Sequence, residues 1–563
     1  MQLIPEGGAR TATAGQPGPA AARRARPAGP PAALPLRWAV PAAAAGGLAL
    51  AGAFPPAGIW PLAVAGPAVL VLVLYRRSLR GSFAVGLAFG VAFFVPLLSW
   101  LINVAWYAWA ALAIAEAVIF GLLTIGQRLL LRLPGWPAAV ACWWVAAEAM
   151  RARWPYAFPW GRLAMSQAGA PTAGWAAIGG PPLLSFLVAL AGAVLAWAVL
   201  VLLARAGPPG GRRIAAAGLA AAGAFALALG GALLPVDQAG PGQRSAEVAA
   251  IQGDVPHARN IPDLLRASTV TQDHAAATEA LAAAAAAGRR PAPDLVVWPE
   301  NSTDLDPSLY PPIYATIASA VRAVDRPVLV GALLQNPLRN TGQLWLPGSG
   351  PVATYVKRQL VPFGEYIPFR ALLRHITSLV SLQPVNFTAG DRAVVFHRGL
   401  GPIRLGDVIC YEIGFDGLVR SEVTAGANVL AVQSNDATFE VDGQSGESTQ
   451  QVAMARIQAI TSNRAVVYAS TTGESAIIGP SGTVLAHSGL WQRAELEARV
   501  PLRTGLTLAD GLGGWPEAVL TGLAIAAVAV AAGSAVRGRR RARAGARRAP
   551  GGAARPGPQQ RDN

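Results

Sequence analysis

The chain is short of cysteine, of lysine and of charge in general. Its 563 residues hold two cysteines, Cys142 and Cys410, and Cys142 lies in an apolar run. A disulfide-stapled scaffold is thereby excluded, and Cys410 remains as a free thiol. Lysine is scarcer still, since of 46 lysine and arginine residues Lys357 is the single lysine. Whatever bias put arginine everywhere else did not act there, so the position calls for a compact ammonium rather than a planar fork. Charged residues make up 13% of the chain, about half the usual share, against 53% hydrophobic. That balance excludes a wholly soluble protein, and the length exceeds one domain. Neither an internal repeat nor a phosphate-cradling glycine loop is present. Ala-rich 275–287 reads as ordinary helix, and Gly-Pro-Ser-Gly at 479–482 as a hairpin turn.

What is abundant is apolar sequence in runs. They fall at about 38–54, 59–75, 82–102, 106–126, 136–150, 182–204, 214–235 and 515–536. Most approach the roughly 20 residues that cross a bilayer core, and the 136–150 run is the shortest. The expected architecture is a polytopic α-helical membrane protein of about eight transmembrane helices. Arg23, Arg24, Arg26 and Arg37 precede the first run, while Arg76, Arg77, Arg80, Arg128, Arg132, Arg205, Arg212 and Arg213 follow the second, fourth and sixth. All share one side if there are eight spans, which predicts both termini in the cytoplasm and the long segment 237–512 outside. The late first run argues against a cleaved signal peptide. The formal net charge of +16 is concentrated in Arg537, Arg539, Arg540, Arg541, Arg543, Arg547 and Arg548. Directly after an apolar run, such a cluster reads as an anchor beside anionic lipid rather than as a nucleic-acid site.

The expected boundaries are a disordered basic tail at 1–36, seven spans over 37–236, a catalytic domain at 237–512, an eighth span at 513–536 and a disordered arginine-rich tail at 537–563. Arg151, Arg153 and Arg162 break the charge rule on the outer side. They sit among Trp154, Tyr156, Phe158 and Trp160 in an arm at 151–181, aromatics suited either to lipid contact or to plain interfacial anchoring. Glu116 lies inside the fourth run, where a carboxylate faces a bundle interior or a polar partner.

Between spans the pattern changes. Short β-branched runs at 246–251, 293–298, 327–333, 393–397, 403–410, 428–433, 465–470 and 483–486 alternate with helical patterns at about 263–288, 308–324, 415–425 and 446–463. Alternation of this kind predicts an α/β domain. An isolated cysteine is most often a small core residue. Here Cys410 ends a strand at a turn, Glu300 ends the run Leu-Val-Val-Trp-Pro-Glu, and the lone Lys357 ends another. Together they form a candidate set: Cys410 as nucleophile, Glu300 as general base and acid, Lys357 as the cation that stabilises an oxyanion.

Trp-Pro-Glu at 298–300, Lys357 followed by Pro-Phe-Gly-Glu-Tyr-Ile-Pro at 362–368, and Cys-Tyr-Glu at 410–412 resemble the nitrilase (carbon–nitrogen hydrolase) superfamily. With the flanking spans, and with Ala-Phe-Pro-Trp at 157–160, Ile-Gln-Gly at 251–253, Ser-Asn-Asp at 434–436 and Leu-Arg-Thr-Gly-Leu-Thr at 502–507, the chain resembles that superfamily's membrane-embedded branch, the apolipoprotein N-acyltransferases. The resemblance implies an α-β-β-α sandwich, a Glu300–Lys357–Cys410 triad, and a need for Glu365, Tyr411 and Glu412 around it. It further implies acyl transfer from a membrane phospholipid, through a cysteine thioester, to the α-amine of a diacylglyceryl-modified apolipoprotein. No metal or organic cofactor is implied, and a monomer is favoured. Two positions depart from the family pattern, Ile261 and Thr438, each where tryptophan is usual, which bears on pocket shape rather than reaction class. The rival expectations are a membrane-tethered amidase acting on a small amide with the same triad, and a transporter or scaffold that only binds.

Overall fold

The computed structural model describes residues 33–203, 211–240, 243–255, 263–375, 380–381, 383–440 and 446–548. Ile261 and the first 32 residues of the expected N-terminal tail lie outside them. The apolar runs form α1 (Leu36–Gly52), α2 (Leu62–Leu74), α3 (Leu79–Leu97), α4 (Trp106–Leu130), α5 (Trp136–Arg151), α6 (Ala176–Leu203) and α7 (Gly211–Gly230). Among the described residues five helices are long and apolar enough to cross a membrane: Leu79–Leu97, Trp106–Leu130, Pro171–Leu203, Gly211–Leu233 and Trp515–Arg537. The other three runs are also helical, with 17, 13 and 16 residues in α1, α2 and α5.

The second unit runs β1 (Arg244–Gln252), α8 (Asp263–Ala286), β2 (Leu295–Val297), α9 (Pro311–Val324), β3 (Val328–Gln335), β4 (Leu338–Leu346), β5 (Gly350–Val356), α10 (Arg370–Leu373), β6 (Val395–Phe396), β7 (Leu405–Ile409), α11 (Asp416–Thr424), β8 (Val429–Ser434), α12 (Glu447–Ser462), β9 (Ala465–Ser470), β10 (Ala476–Ile478), β11 (Val484–His487), β12 (Ala494–Leu502) and α13 (Leu508–Leu512). It is followed by α14 (Trp515–Arg548). Hydropathy ends the last span at 536, but the helix continues to Arg548, so 537–548 is helical rather than irregular. Arginine is a good helix former and nothing at 537 breaks the backbone pattern.

Two six-stranded sheets, β12-β1-β2-β3-β4-β5 and β11-β10-β9-β8-β7-β6, face each other. Their shared core includes Val248, Val297 and Leu329 from one and Leu405, Ile409, Ala431 and Val467 from the other. On the outer face of the first sheet, Leu281, Ile313 and Ile317 of α8 and α9 pack on Trp298 and Val330. On the outer face of the second, Ile457 and Ile460 of α12 share one apolar cluster with Val466, Trp160 and Leu184. The helix–sheet–sheet–helix order thus rests through α12 on the membrane helices. Burial of a continuous apolar surface there holds the domain in place.

β4, β5, β10 and β12 were not apparent from the sequence pattern. β4 reads Leu-Arg-Asn-Thr-Gly-Gln-Leu-Trp-Leu, with Asn340, Thr341 and Gln343 all buried. Polar groups on an inward face erase the alternation from which strands are read. The hairpin turn at 479–482 joins the antiparallel strands β10 and β11 as expected.

Between the sheets Asp407 is fully buried, and neither of its carboxylate oxygens has a hydrogen-bond donor; Gln433 Oε1 also lacks one. Both reach the bare Cα of Gly342, where an added Cβ would lie 1.9 Å from Asp407 Oδ2 and 2.6 Å from Gln433 Oε1. Burial, with Glu412 and Glu422 adding to it, holds the Asp407 carboxyl well above its ordinary range and favours its neutral form. Unfolded, it titrates near pH 4. The stability it permits is full below that pH and is lost as pH rises towards the folded pKa. Asp407→Asn is therefore expected to gain on the parent by up to about 1.4 kcal/mol per pH unit above pH 4. Tm measured in detergent across pH 4 to 8 checks this, and parallel curves for the two proteins would refute it.

Candidate active site

Parallel strands deliver their C-terminal ends to one edge, and the chemistry collects there. β2 is parallel to β1 and β3, and Glu300 follows its end by three residues; β7 is parallel to β8, and Cys410 directly follows it. At Gly331 an added Cβ would come within 2.1 Å of the Pro299 carbonyl and 2.8 Å of Glu300 Cα, so a bare backbone on β3 leaves room for the Glu300 turn. Lys357 follows β5, and its N–H donates to the Asn340 carbonyl at 2.9 Å. The structure therefore brings the Glu, Lys and Cys positions to one place from three separate strand ends.

Lys357 Nζ donates to Glu300 Oε1 at 2.9 Å and to Glu365 Oε1 at 3.0 Å, and its side chain is 1% exposed. Asn340 Nδ2 donates to the same two oxygens, at 2.6 and 2.9 Å. The other oxygens are held by backbone: Asn435 N–H donates to Glu300 Oε2 at 3.0 Å, and Val361 N–H to Glu365 Oε2 at 2.7 Å. Burial opposes the lysine's charge, but Glu300 and Glu365 outweigh it and hold the ammonium well above its ordinary pKa. Burial raises Glu300 despite Lys357, and Glu365 adds to the rise, which makes Glu300 a stronger base than a solvated carboxylate.

Cys410 opens a short 3₁₀ turn, Cys410–Gly414, and has φ of 51°, a left-handed backbone that only glycine adopts freely. Its thiol, 7% exposed, is raised well above its ordinary pKa by burial and by Glu300, with Lys357 pulling the other way. The resting species is thus the thiol, beside a carboxylate able to take its proton. Glu412 does not pair with the lysine. It accepts from the N–H groups of Ile409, Arg358 and Gln359 at 2.8, 2.7 and 3.0 Å and from Tyr355 Oη at 2.8 Å. That carboxylate clamps the cysteine turn to the stretch after Lys357. Tyr411 Oη donates to the Ala157 carbonyl at 2.6 Å, and its ring stacks on Trp160, tying the turn to the arm.

The arm differs from expectation. Phe158 and Trp160 are buried, 6% and 2% exposed, and Tyr156 Oη donates to Glu116 at 2.9 Å. Of the four aromatics only Trp154 is exposed, at 63%. Packing within the protein occupies the other three: Trp160 meets Gln450 and Tyr411 of the domain, Phe158 stacks on Trp160, and Tyr156 bonds to α4. The arginines of the arm are also matched: Arg151 with Glu116, Arg153 with Glu517, and Arg162 with Asp416 at 2.8 Å. Their apparent breach of the charge rule is thus neutralised within the protein, and Glu116 has a structural partner.

The segment 46–194 matches the apolipoprotein N-acyltransferase N-terminal domain, and 247–505 matches carbon–nitrogen hydrolase. A protein of Mycolicibacterium smegmatis named apolipoprotein N-acyltransferase is 37% identical over 486 residues, covering 83% of this chain and 80% of its own. The chain belongs to the apolipoprotein N-acyltransferase family. A second family member, from Azotobacter vinelandii, is 31% identical and covers 81% of this chain and 88% of its own. Among solved structures, an amidase from Nesterenkonia sp. is 17% identical, with 47% of this chain and 95% of that one covered and a TM-score of 0.35.

Three contributors to this family member's site were not singled out in the sequence: Asn340, Asn435 and Gln451. Asn435 lies inside the Ser-Asn-Asp motif, which was a usable signal. Asn340 sits in the unread strand β4 and carried none. Thr438, one of the two departures, is exposed on the turn after β8.

Proposed function

We propose that the protein transfers a fatty acyl chain from a membrane phospholipid to the α-amine of a diacylglyceryl-modified N-terminal cysteine on an apolipoprotein. Glu300, Lys357 and Cys410 carry the reaction. Glu300 takes the Cys410 proton, and the sulfur attacks the ester carbonyl while Lys357 stabilises the oxyanion. The ester C–O bond breaks, the lysophospholipid alkoxide takes the proton from Glu300, and a thioester remains. The acceptor amine then attacks that thioester and gives a proton to Glu300. The amide forms, the thiolate leaves, and Glu300 returns the proton to sulfur.

Glu365 supports Lys357, Glu412 the cysteine turn, and Tyr411 the contact with the arm. The topology is eight spans with both termini cytoplasmic and 237–512 outside, the protein working as a monomer. Both substrates are confined to the membrane, which accounts for a catalytic domain seated on membrane helices.

One observation carries the reading: the sole lysine is buried between two carboxylates beside a free thiol, in a domain packed on apolar helices. Intact-mass analysis after incubation with phospholipid is expected to find one fatty-acyl increment on Cys410, removed by an acceptor lipopeptide. A small-amide hydrolase would acquire no such mass.

A further inference from the structure

Gln451 belongs to no motif that identified the site, yet it touches the sulfur. It is fully buried on α12, with Nε2 3.4 Å from Cys410 Sγ. The same nitrogen donates to Glu447 Oε1, while Gln451 Oε1 accepts from Tyr468 Oη at 3.3 Å. The amide thus faces its nitrogen towards Glu447 and the sulfur and its oxygen towards the Tyr468 hydroxyl. An amide nitrogen has two hydrogens. One is used by Glu447, and the other is directed at Cys410.

The sulfur needs such a donor. Lys357 already spends hydrogen bonds on Glu300 and Glu365, and what it has left is required at the oxyanion. The ionisable groups that bear on Cys410 include Glu300, Lys357, Glu447 and Asp436, with the phenols of Tyr411 and Tyr468. Burial and Asp436 hold the Glu447 carboxyl well above its usual range, and Glu447 in turn helps to raise the thiol. Asp436 itself accepts from the hydroxyls of Ser434 and Ser470. A neutral N–H is thus held against a sulfur that becomes anionic twice, once when it attacks and once when the amine expels it.

We propose that Gln451 is a catalytic residue whose Nε2–H stabilises the Cys410 thiolate in both half-reactions. This rests on Cys410 being the nucleophile. The test is the pH dependence of iodoacetamide alkylation at Cys410, read by intact mass in a Cys142→Ala background, together with the rate of acyl-adduct formation from phospholipid. Gln451→Ala is expected to raise the alkylation midpoint by about one pH unit and to slow acylation about tenfold or more. Gln451→Glu, which sets a carboxyl against the sulfur, should raise the midpoint further, and Gln451→His, which keeps a ring N–H, should restore part of the loss. A packing role alone would lower Tm and leave the Gln451→Ala midpoint at the parental value, which would overturn the proposal. If the parent enzyme forms no acyl adduct, the nucleophile assignment fails, while the midpoint series still reports on Gln451.

Discussion

Cys410→Ala is expected to abolish lipoprotein N-acylation, with a loss of at least about 10⁴-fold in the acyl-transfer rate, as removal of a covalent nucleophile does in other acyl-transfer enzymes. Neither Glu300 nor Lys357 can replace it, since one is a weak nucleophile held by three donors and the other a protonated ammonium. The fold should survive. The side chain is small, it is 7% exposed, and its removal leaves a cavity worth about 1 kcal/mol or less. Complementation of cells lacking their own enzyme, with Tm and expression matched, separates chemistry from folding. Retained N-acylation in the variant would sink the assignment of Cys410.

Lys357→Met should fail in a different way. The substitution keeps length and removes the charge, leaving Glu300 and Glu365 buried around an apolar tip. Breaking a buried ion pair from one side costs about 3–5 kcal/mol, because the remaining charge is uncompensated. The lysine's own contribution is present across the whole physiological range: its folded pKa is raised, so the stabilisation is lost only as pH climbs through that value. Without the ammonium that lowers it, the Glu300 carboxyl is expected to rise further, so the proposed base is weakened along with the loss of the proposed oxyanion donor. The expected fall in acylation is about 10³-fold, with partial recovery as pH is raised and Glu300 ionises. Lys357→Arg should not rescue, since a forked guanidinium cannot occupy a 1% exposed site shaped for a point donor. Single-turnover acylation rates at several pH values, with thermal unfolding in parallel, check both effects. Full activity in the Arg variant would show that the position needs only positive charge.

The site was legible to different depths. Glu300 and Cys410 each end a buried β-branched run, a local pattern that needs no partner to be read. Lys357 stood out through composition and was expected at a strand end, but no run before it was delimited, because buried polar residues hid the alternation of β4. Glu365 and Glu412 were read together as support for the triad, and the structure separates them. Glu365 shares the lysine, whereas Glu412 clamps backbone. The aromatic arm was read as suited either to lipid contact or to interfacial anchoring, yet the burial of Trp160 depends on α12 and on the turn carrying Tyr411, more than 200 residues further along the chain.

The sequence by itself determined that apolar helices surround an α/β domain and that a thiol, an ammonium and a carboxylate stand at strand ends. These follow from periodicity, run length and scarcity, which are properties of neighbouring residues. Only the tertiary structure decided that Asn340 bridges the two carboxylates, that Gln451 faces the sulfur and that the arginines of the arm are paired. A buried polar group takes its partner from whatever the packing of distant elements brings within about 3 Å, and no local pattern encodes that distance.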